Sequence, residues 1–193
     1  MYVGIIGTCL LERSNELHPK NADPKCALLV MTDGLEETEA VGILCGLRQT
    51  GLCIKSVGLT SGLVTGAHGV MLKPDLTLTD FESNTVDVQM VKMVIFTERN
   101  QGMARLESEP RLHYLLLHTL THGGCVAVDR DGQRIIRAID ISTDQIKVFC
   151  ENHQILIHDW QQSFDACLSE LIRCFEGLEP ARNSHKPNRR VPK

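Results

Sequence analysis

A buried strand followed directly by an amphipathic helix and a second strand is the feature that most constrains this chain. The first strand is CALLVMT at residues 26–32, an unbroken apolar run typical of a strand covered on both faces. Glu36 and Glu37 begin a helix that extends to about residue 50, and acidic residues suit a helix start because they face the positive end of its dipole. Gly51 ends the helix and residues 52–57 return as a strand. This βαβ unit predicts a parallel sheet with a right-handed crossover.

The rest of the chain continues the alternation of strands and helices. The glycine-rich residues 62–73 predict a small hairpin. Further apolar runs predict strands at residues 91–96, 125–128, 146–150 and 155–157, and helices at residues 110–121 and 163–175. The alternation predicts an α/β fold: a single doubly wound, mostly parallel sheet with helices on both faces.

The length of 193 residues suits one well-buried core. We predict one α/β domain at residues 26–177. A polar, proline-containing extension at residues 1–25 precedes it, and a basic tail at residues 178–193, which we expect to be disordered, follows it.

Composition argues against several classes of partner. The net charge of −4 is too mild to indicate a polyanionic partner, and aromatic residues at 4% are too few for stacking on single-stranded nucleic acid. No apolar run approaches the ~20 residues that span a bilayer. The apolar start of the chain lacks the basic region of a signal peptide. We therefore expect a cytoplasmic protein that binds neither nucleic acid nor membrane.

The eight cysteines form no CxxC pair and, with the histidines, no zinc-finger spacing. Most lie in apolar runs, so we interpret them as reduced, buried side chains. His118 and His122 lie four residues apart, but two imidazoles are too few ligands for a metal site and are interpreted as an exposed helix end. The sequence predicts neither a metal nor a cofactor.

Ligands of open α/β sheets bind beyond the carboxyl ends of the strands. Three loops lie there: residues 33–39, residues 97–102, and the turn that ends GCVAVDRDG at residues 124–132. Their polar side chains supply the candidate ligand-binding residues, which are Glu39, Thr97, Arg99, Asp129 and Arg130.

Two stretches carry a family resemblance. DGLEETEAVGIL at residues 33–44 and LRQTGLCIKSVGLTSGLVTGAHGVMLKPDLTLTDF at residues 47–81 resemble the ThiJ/PfpI family, which includes the parkinsonism-associated deglycase-like and intracellular-protease-like proteins. The resemblance implies a class I glutamine amidotransferase-like, flavodoxin-like architecture. It also implies a homodimer, for which we expect a contact through the first helix and the strand that follows it.

The resemblance further implies where the chemistry of the family would lie. A buried glutamate of the family matches Glu39, and a reactive cysteine on a sharp strand-to-helix turn, the nucleophile elbow, matches Arg130. Thr97 begins the segment that matches the family's proline-glycine-glycine loop. A guanidinium stays protonated and cannot attack a carbonyl, and Cys125 lies at the wrong end of its strand to replace the family cysteine.

Two local structures fit the stretch around Arg130. It keeps the elbow, or it forms a β-hairpin, since Asp-Gly between alternating residues is a strong turn signal. With an elbow, Arg130 has three possible roles: a buried charge pair with Glu39, which we favour, a site for a small anion together with Arg99, or a solvated loop position.

The expected function is a non-catalytic, interaction or regulatory module with a degenerate active site. The alternative is a cysteine-independent hydrolase, glyoxalase or deglycase. In that enzyme Glu39 or Asp129 would act as general base and Arg130 would stabilise the oxyanion.

Overall fold

The computed structural model describes residues 25–83, 85–97, 102–130, 132–160 and 163–177. Its strands are β1 (Cys26–Met31), β2 (Ile54–Gly58), β3 (Val64–Thr65), β4 (Met71–Leu72), β5 (Leu76–Thr77), β6 (Val91–Ile95), β7 (Cys125–Asp129) and β8 (Ile155–His158). Its α-helices are α1 (Glu37–Gln49), α2 (Leu78–Glu82), α3 (Met103–Glu107), α4 (Pro110–Thr121), α5 (Gln133–Ala138), α6 (Thr143–Glu151) and α7 (Phe164–Glu176). A 3-10 turn (Val88–Met90) precedes β6.

Six strands form one sheet in the order β5-β2-β1-β6-β7-β8, and every neighbouring pair is parallel. The strands β3 and β4 form a separate antiparallel hairpin. Helices cover both faces of the sheet, with α1 and α7 on one face and α2 to α5 on the other. The predicted doubly wound α/β fold is confirmed.

Close helix packing explains two glycines of α1. A Cβ at Gly42 would overlap the ring of Phe164, and one at Gly46 would overlap the side chain of Leu168. Both partners belong to α7, so the glycines let the two helices approach each other over the same face of the sheet. The core beneath them is fully apolar along β1, since all six residues of that strand are buried.

The predicted strand at residues 146–150 is wrong, because this segment lies within the helix α6. A capping box determines the helix start: Ser142 Oγ accepts the backbone N–H of Gln145 at 3.2 Å, and Gln145 Oε1 accepts the backbone N–H of Ser142 at 3.0 Å. Ile146 and Phe149, three residues apart, pack against the core, whereas Val148 and Cys150 are exposed on the other side of the helix. A short apolar run fits either period, and the cap decides between them.

The expectation of reduced cysteines is wrong for two pairs. Disulfides join Cys26 to Cys53, 27 residues apart, and Cys125 to Cys174, 49 residues apart. Parallel neighbours begin at the same edge of a sheet, which brings the start of β1 beside the residue before β2. In the second pair, Cys174 near the end of α7 lies over Cys125 at the start of β7.

The remaining described cysteines have free thiols. Cys167 is buried, as expected, but Cys45 and Cys150 are exposed on the outer surfaces of α1 and α6. Cys9, most of the predicted N-terminal extension and the basic tail lie outside the described residues. Within the described ranges no helix is long and apolar enough to cross a membrane.

Candidate functional site

The carboxyl edge of the sheet brings three polar side chains into one row. Asp129 and His158 are register partners at the ends of β7 and β8. Ile95 pairs with Ala127, so Thr97 lies level with Asp129 two residues later. Side chains alternate along a strand, so all three point to the face that α1 and α7 cover. All three residues are buried.

Glu39 reaches this face of the sheet from the first turn of α1, where it is buried. An acidic side chain in the first turn of a helix is stabilised by the helix dipole. The structure thus places Glu39, Thr97 and Asp129 on one side of the sheet, near the ends of the strands. Arg99, the fourth loop candidate, lies outside the described residues.

The turn after β7 has the form of an elbow. The strand ends at Asp129, Arg130 turns, and Gly132 caps the N-terminus of α5. Asp129 Oδ1 accepts the backbone N–H of Gly132 at 2.7 Å, which satisfies a donor that the helix start leaves free. The elbow is confirmed and the alternative hairpin is wrong, because the chain continues as a helix.

Arg130 is exposed at this turn. The predicted charge pair with Glu39 is not formed: both residues are described, and among the described residues no ion pair joins them. Side chains alternate between the two sides along the strand. Asp129 therefore points inward, and Arg130, the next residue, is exposed to solvent. Such a position costs no desolvation of the guanidinium, whereas burial beside Glu39 would.

His158 is a site residue that the sequence analysis misses. Its ring is buried, with Nδ1 3.6 Å from Glu170 Oε2 and the ring centroid 4.9 Å from that of Trp160. Burial lowers the pKa of His158, and the nearby Glu170 carboxylate partly opposes that effect. The predicted strand stops at residue 157. The sequence signal that indicates His158 is the alternation of side chains along the strand. Leu156 points to the core, and His158, two residues later, lies on the same face of the sheet.

Cys167 is the buried free thiol of this region. It lies in the first half of α7, and its Sγ is 3.8 Å from the carbonyl oxygen of Asp159. Burial raises the pKa of Cys167, so the thiol is held in its protonated, weakly nucleophilic form. It lies on a helix rather than on the strand-to-helix turn, where the described residue is Arg130.

No protein-family model matches this chain, and no curated protein sequence does. Solved structures do. A ThiJ/PfpI domain protein from Brachyspira murdochii superimposes with a TM-score of 0.63 at 18% identity, over 80% of this chain and 98% of that one. This chain has the DJ-1/ThiJ/PfpI fold. Oxidised DJ-1 from Toxoplasma gondii gives a TM-score of 0.59 at 16% identity, over 79% of this chain and 92% of that chain.

The DJ-1/ThiJ/PfpI fold also occurs as part of larger proteins. A two-domain protein from Anabaena variabilis, with DJ-1/ThiJ/PfpI-like and ferritin-like domains, superimposes with a TM-score of 0.63 at 14% identity. The match covers 82% of this chain and 51% of that one. The superpositions establish a shared fold despite these low sequence identities. The chemistry depends on the side chains that this chain places at its carboxyl edge.

Proposed function

We propose that this chain is a non-catalytic protein of the DJ-1/ThiJ/PfpI fold, which acts as an interaction or regulatory module. The observation that supports the proposal is the exposed Arg130 at the elbow, the position where the resemblance implies a reactive thiol. A protonated guanidinium cannot act as a nucleophile. Cys167, the buried free thiol of the region, carries a raised pKa and lies on α7.

A small anion is the ligand that the elbow suits under this proposal. Arg130 offers five N–H donors in a planar fork, a geometry that matches carboxylate and phosphate groups. Its exposure leaves the guanidinium accessible from solvent. The predicted partner Arg99 follows β6, the strand beside β7, and would add a second positive charge.

Turnover of methylglyoxal by the purified chain tests the absence of catalysis. We expect a rate equal to that of buffer, because covalent thiol catalysis needs a thiolate at the elbow. The matched variants are Glu39→Gln and, as a control on the same helix start, Glu36→Gln. Turnover that disappears in Glu39→Gln and persists in Glu36→Gln would contradict the proposal and establish the alternative enzyme.

That alternative is a cysteine-independent hydrolase, glyoxalase or deglycase. The buried carboxyl groups of Glu39 and Asp129 support it, because they share a face of the sheet with the imidazole of His158. Glu39 or Asp129 would take a proton from water, and Arg130 would stabilise the oxyanion. The same turnover experiment separates the two functions.

The proposed module is a homodimer whose contact includes the hairpin of β3 and β4. Leu63, Val70 and Met71, in and beside this hairpin, are 41%, 44% and 51% exposed, and exposed apolar side chains of this kind are available for a contact between protein chains. The expected contact through α1 and β2 is less available, because β2 is paired on both sides within the sheet and α1 packs against α7. The exposed hairpin is therefore the more available surface of this region.

Light scattering after size exclusion tests the dimer. We expect a dimer for the unmodified chain and a monomer for Met71→Asp, because a charge buried in an apolar contact is strongly unfavourable. Val148→Asp is the matched control, since Val148 is 50% exposed on α6, and it should remain dimeric. A monomeric unmodified chain would remove the dimer from the proposal.

A further inference from the structure

A cavity lies on the face of the sheet opposite to the candidate site. It has a volume of about 340 Å³ and opens between α2, the segment before β6, and α4. Sites for small molecules in proteins span roughly 300–1,000 Å³. Its apolar lining residues are Leu78, Phe81, Val88, Pro110, Tyr114 and Leu115.

Carboxylates outnumber cations around this cavity. Glu82 and Asp87 line it together with Arg111, and Glu109 lies beside them as the partner of Arg111. Both Glu82 and Asp87 are exposed, so they can meet an incoming group without prior desolvation. The resulting field is negative and favours a positively charged ligand.

Among the described lining residues Arg111 is the one guanidinium, and it is already engaged, in part by Glu82, whose Oε2 lies 3.7 Å from Nη1. Arg111 Nε donates to Glu109 Oε1 at 2.7 Å and Nη2 donates to Glu109 Oε2 at 2.8 Å. Nη2 also donates to the carbonyl oxygen of Leu59 at 3.2 Å, and Nη1 donates to Thr79 Oγ1 at 3.3 Å. These contacts use the fork of donors that would otherwise bind an anion. Among the described residues that line the cavity, no free cation therefore remains for an anionic ligand.

Aromatic rings supply the remaining recognition element. Tyr114 lines the cavity, and 63% of its surface is exposed to solvent. Its aromatic ring is therefore accessible to a ligand. Phe81 lines the cavity from α2. Ammonium groups are attracted to the faces of aromatic rings, more strongly when partly removed from water.

We propose that this cavity binds small organic cations in which an ammonium group is carried on an aromatic or branched aliphatic body. The apolar body fills the space over Leu78, Val88 and Leu115, and the ammonium group lies between the aromatic rings and the carboxylates of Glu82 and Asp87. The site is separate from the carboxyl edge, so it does not depend on the function proposed there.

Titration of the full chain with 4-phenylbutylammonium and 4-phenylbutyrate tests this proposal. The two probes share an apolar body and differ in the sign of the charge. We expect saturable binding of the ammonium with a Kd of about 1 mM or lower, and binding of the carboxylate at least about tenfold weaker. Calorimetry measures both affinities.

Variants locate the binding. Tyr114→Ala and the double variant Glu82→Gln/Asp87→Asn should each weaken the ammonium by about fivefold, from the loss of a cation–π contact or of partly exposed charges. Both changes are on the surface and should leave the fold intact. Asp144→Asn is the matched control, because its side chain is 92% exposed on α6, and it should bind like the unmodified chain.

Equal binding of the two probes, or the absence of saturable binding at ~10 mM, a concentration above that of a weak specific site, would overturn the proposal. An unchanged affinity in both cavity variants would also overturn it.

Discussion

Cys125→Ala is expected to lower the free energy of unfolding by about 4 kcal/mol, because it removes the disulfide to Cys174. The two residues are 49 positions apart, and closing a loop of that length restricts the unfolded chain by an amount of this order. The change is measurable by urea denaturation of the oxidised protein. Cys174→Ala should cost a similar amount, and the double variant should cost little more than either single variant, since one bond is lost in each.

Cys167→Ala is the control for this prediction. Cys167 is also a buried cysteine of the described core, but its thiol is free. Its replacement should cost only about 1 kcal/mol, from the loss of a small buried side chain. Equal losses for Cys125→Ala and Cys167→Ala would show that the bond contributes nothing and would contradict the prediction.

The disulfides also bear on where the protein resides. Such bonds persist mainly in oxidising compartments and are rare in the cytosol, whereas the sequence analysis expects a cytoplasmic protein. Acid quenching of the cells, followed by alkylation of free thiols in denaturant and mass spectrometry, decides between these expectations. Alkylation of Cys26, Cys53, Cys125 and Cys174 indicates a reducing compartment, and protection of all four indicates an oxidising one.

Glu37→Ala is expected to lower the free energy of unfolding by about 2–3 kcal/mol, because it leaves donors of the hairpin without their acceptor. Glu37 is buried, and its Oε1 accepts the backbone N–H groups of His68 at 2.7 Å and of Val70 at 3.2 Å. Its Oε2 lies 2.9 Å from His68 Nδ1. A Cβ at Gly66 would overlap the Glu37 side chain, so the glycine permits the close approach.

The same carboxylate gives the stability a pH dependence. Burial acts to raise the pKa of Glu37, but the His68 side chain and the backbone N–H groups of Glu37, His68 and Val70 outweigh it and lower the pKa from 4.5 to about 2. A depressed carboxyl pKa stabilises the fold above the unfolded value, so this contribution is present above pH 4.5 and is lost as the pH falls towards 2.

His68 contributes with the opposite sign. The hydrogen bond to Glu37, followed by the charges of Glu36 and Glu37, raises the pKa of His68 above 6.5. Its contribution is complete below pH 6.5 and is lost as the pH rises through the folded value. The pair therefore holds the hairpin best between pH 4.5 and pH 6.5.

Denaturation of the unmodified chain, Glu37→Ala and Glu36→Ala at several pH values measures these effects. Glu36 Oε2 is 3.7 Å from His68 Nδ1, at the edge of an ion pair, and partly exposed pairs contribute about 0–1 kcal/mol. Glu36→Ala should therefore keep the loss of stability between pH 4.5 and pH 2. Glu37→Ala should lack the part of that loss which the Glu37 carboxylate contributes. The same pH profile for both variants would contradict the role of Glu37.

Much of the fold could be predicted from local patterns. The apolar run of β1, the acidic start of α1 and the spacing of apolar residues in α4 are short-range signals that match the structure. The elbow after β7 was predicted too, as one of two alternatives. It is decided by the contact of Asp129 with Gly132, which is itself local. The strand predicted at residues 146–150 is wrong because a short apolar run fits both periods, and the capping box of Ser142 and Gln145 identifies the segment as a helix.

The sequence by itself determined the initial βαβ unit, the parallel sheet and the cation at the elbow turn, because periodicity and residue type act over a few neighbouring positions. Only the tertiary structure decided which cysteines pair, that Arg130 is exposed and forms no ion pair with Glu39, and that His158 joins the carboxyl edge. Those outcomes depend on strand order and register, which bring together residues far apart in the chain. No local pattern encodes those distances.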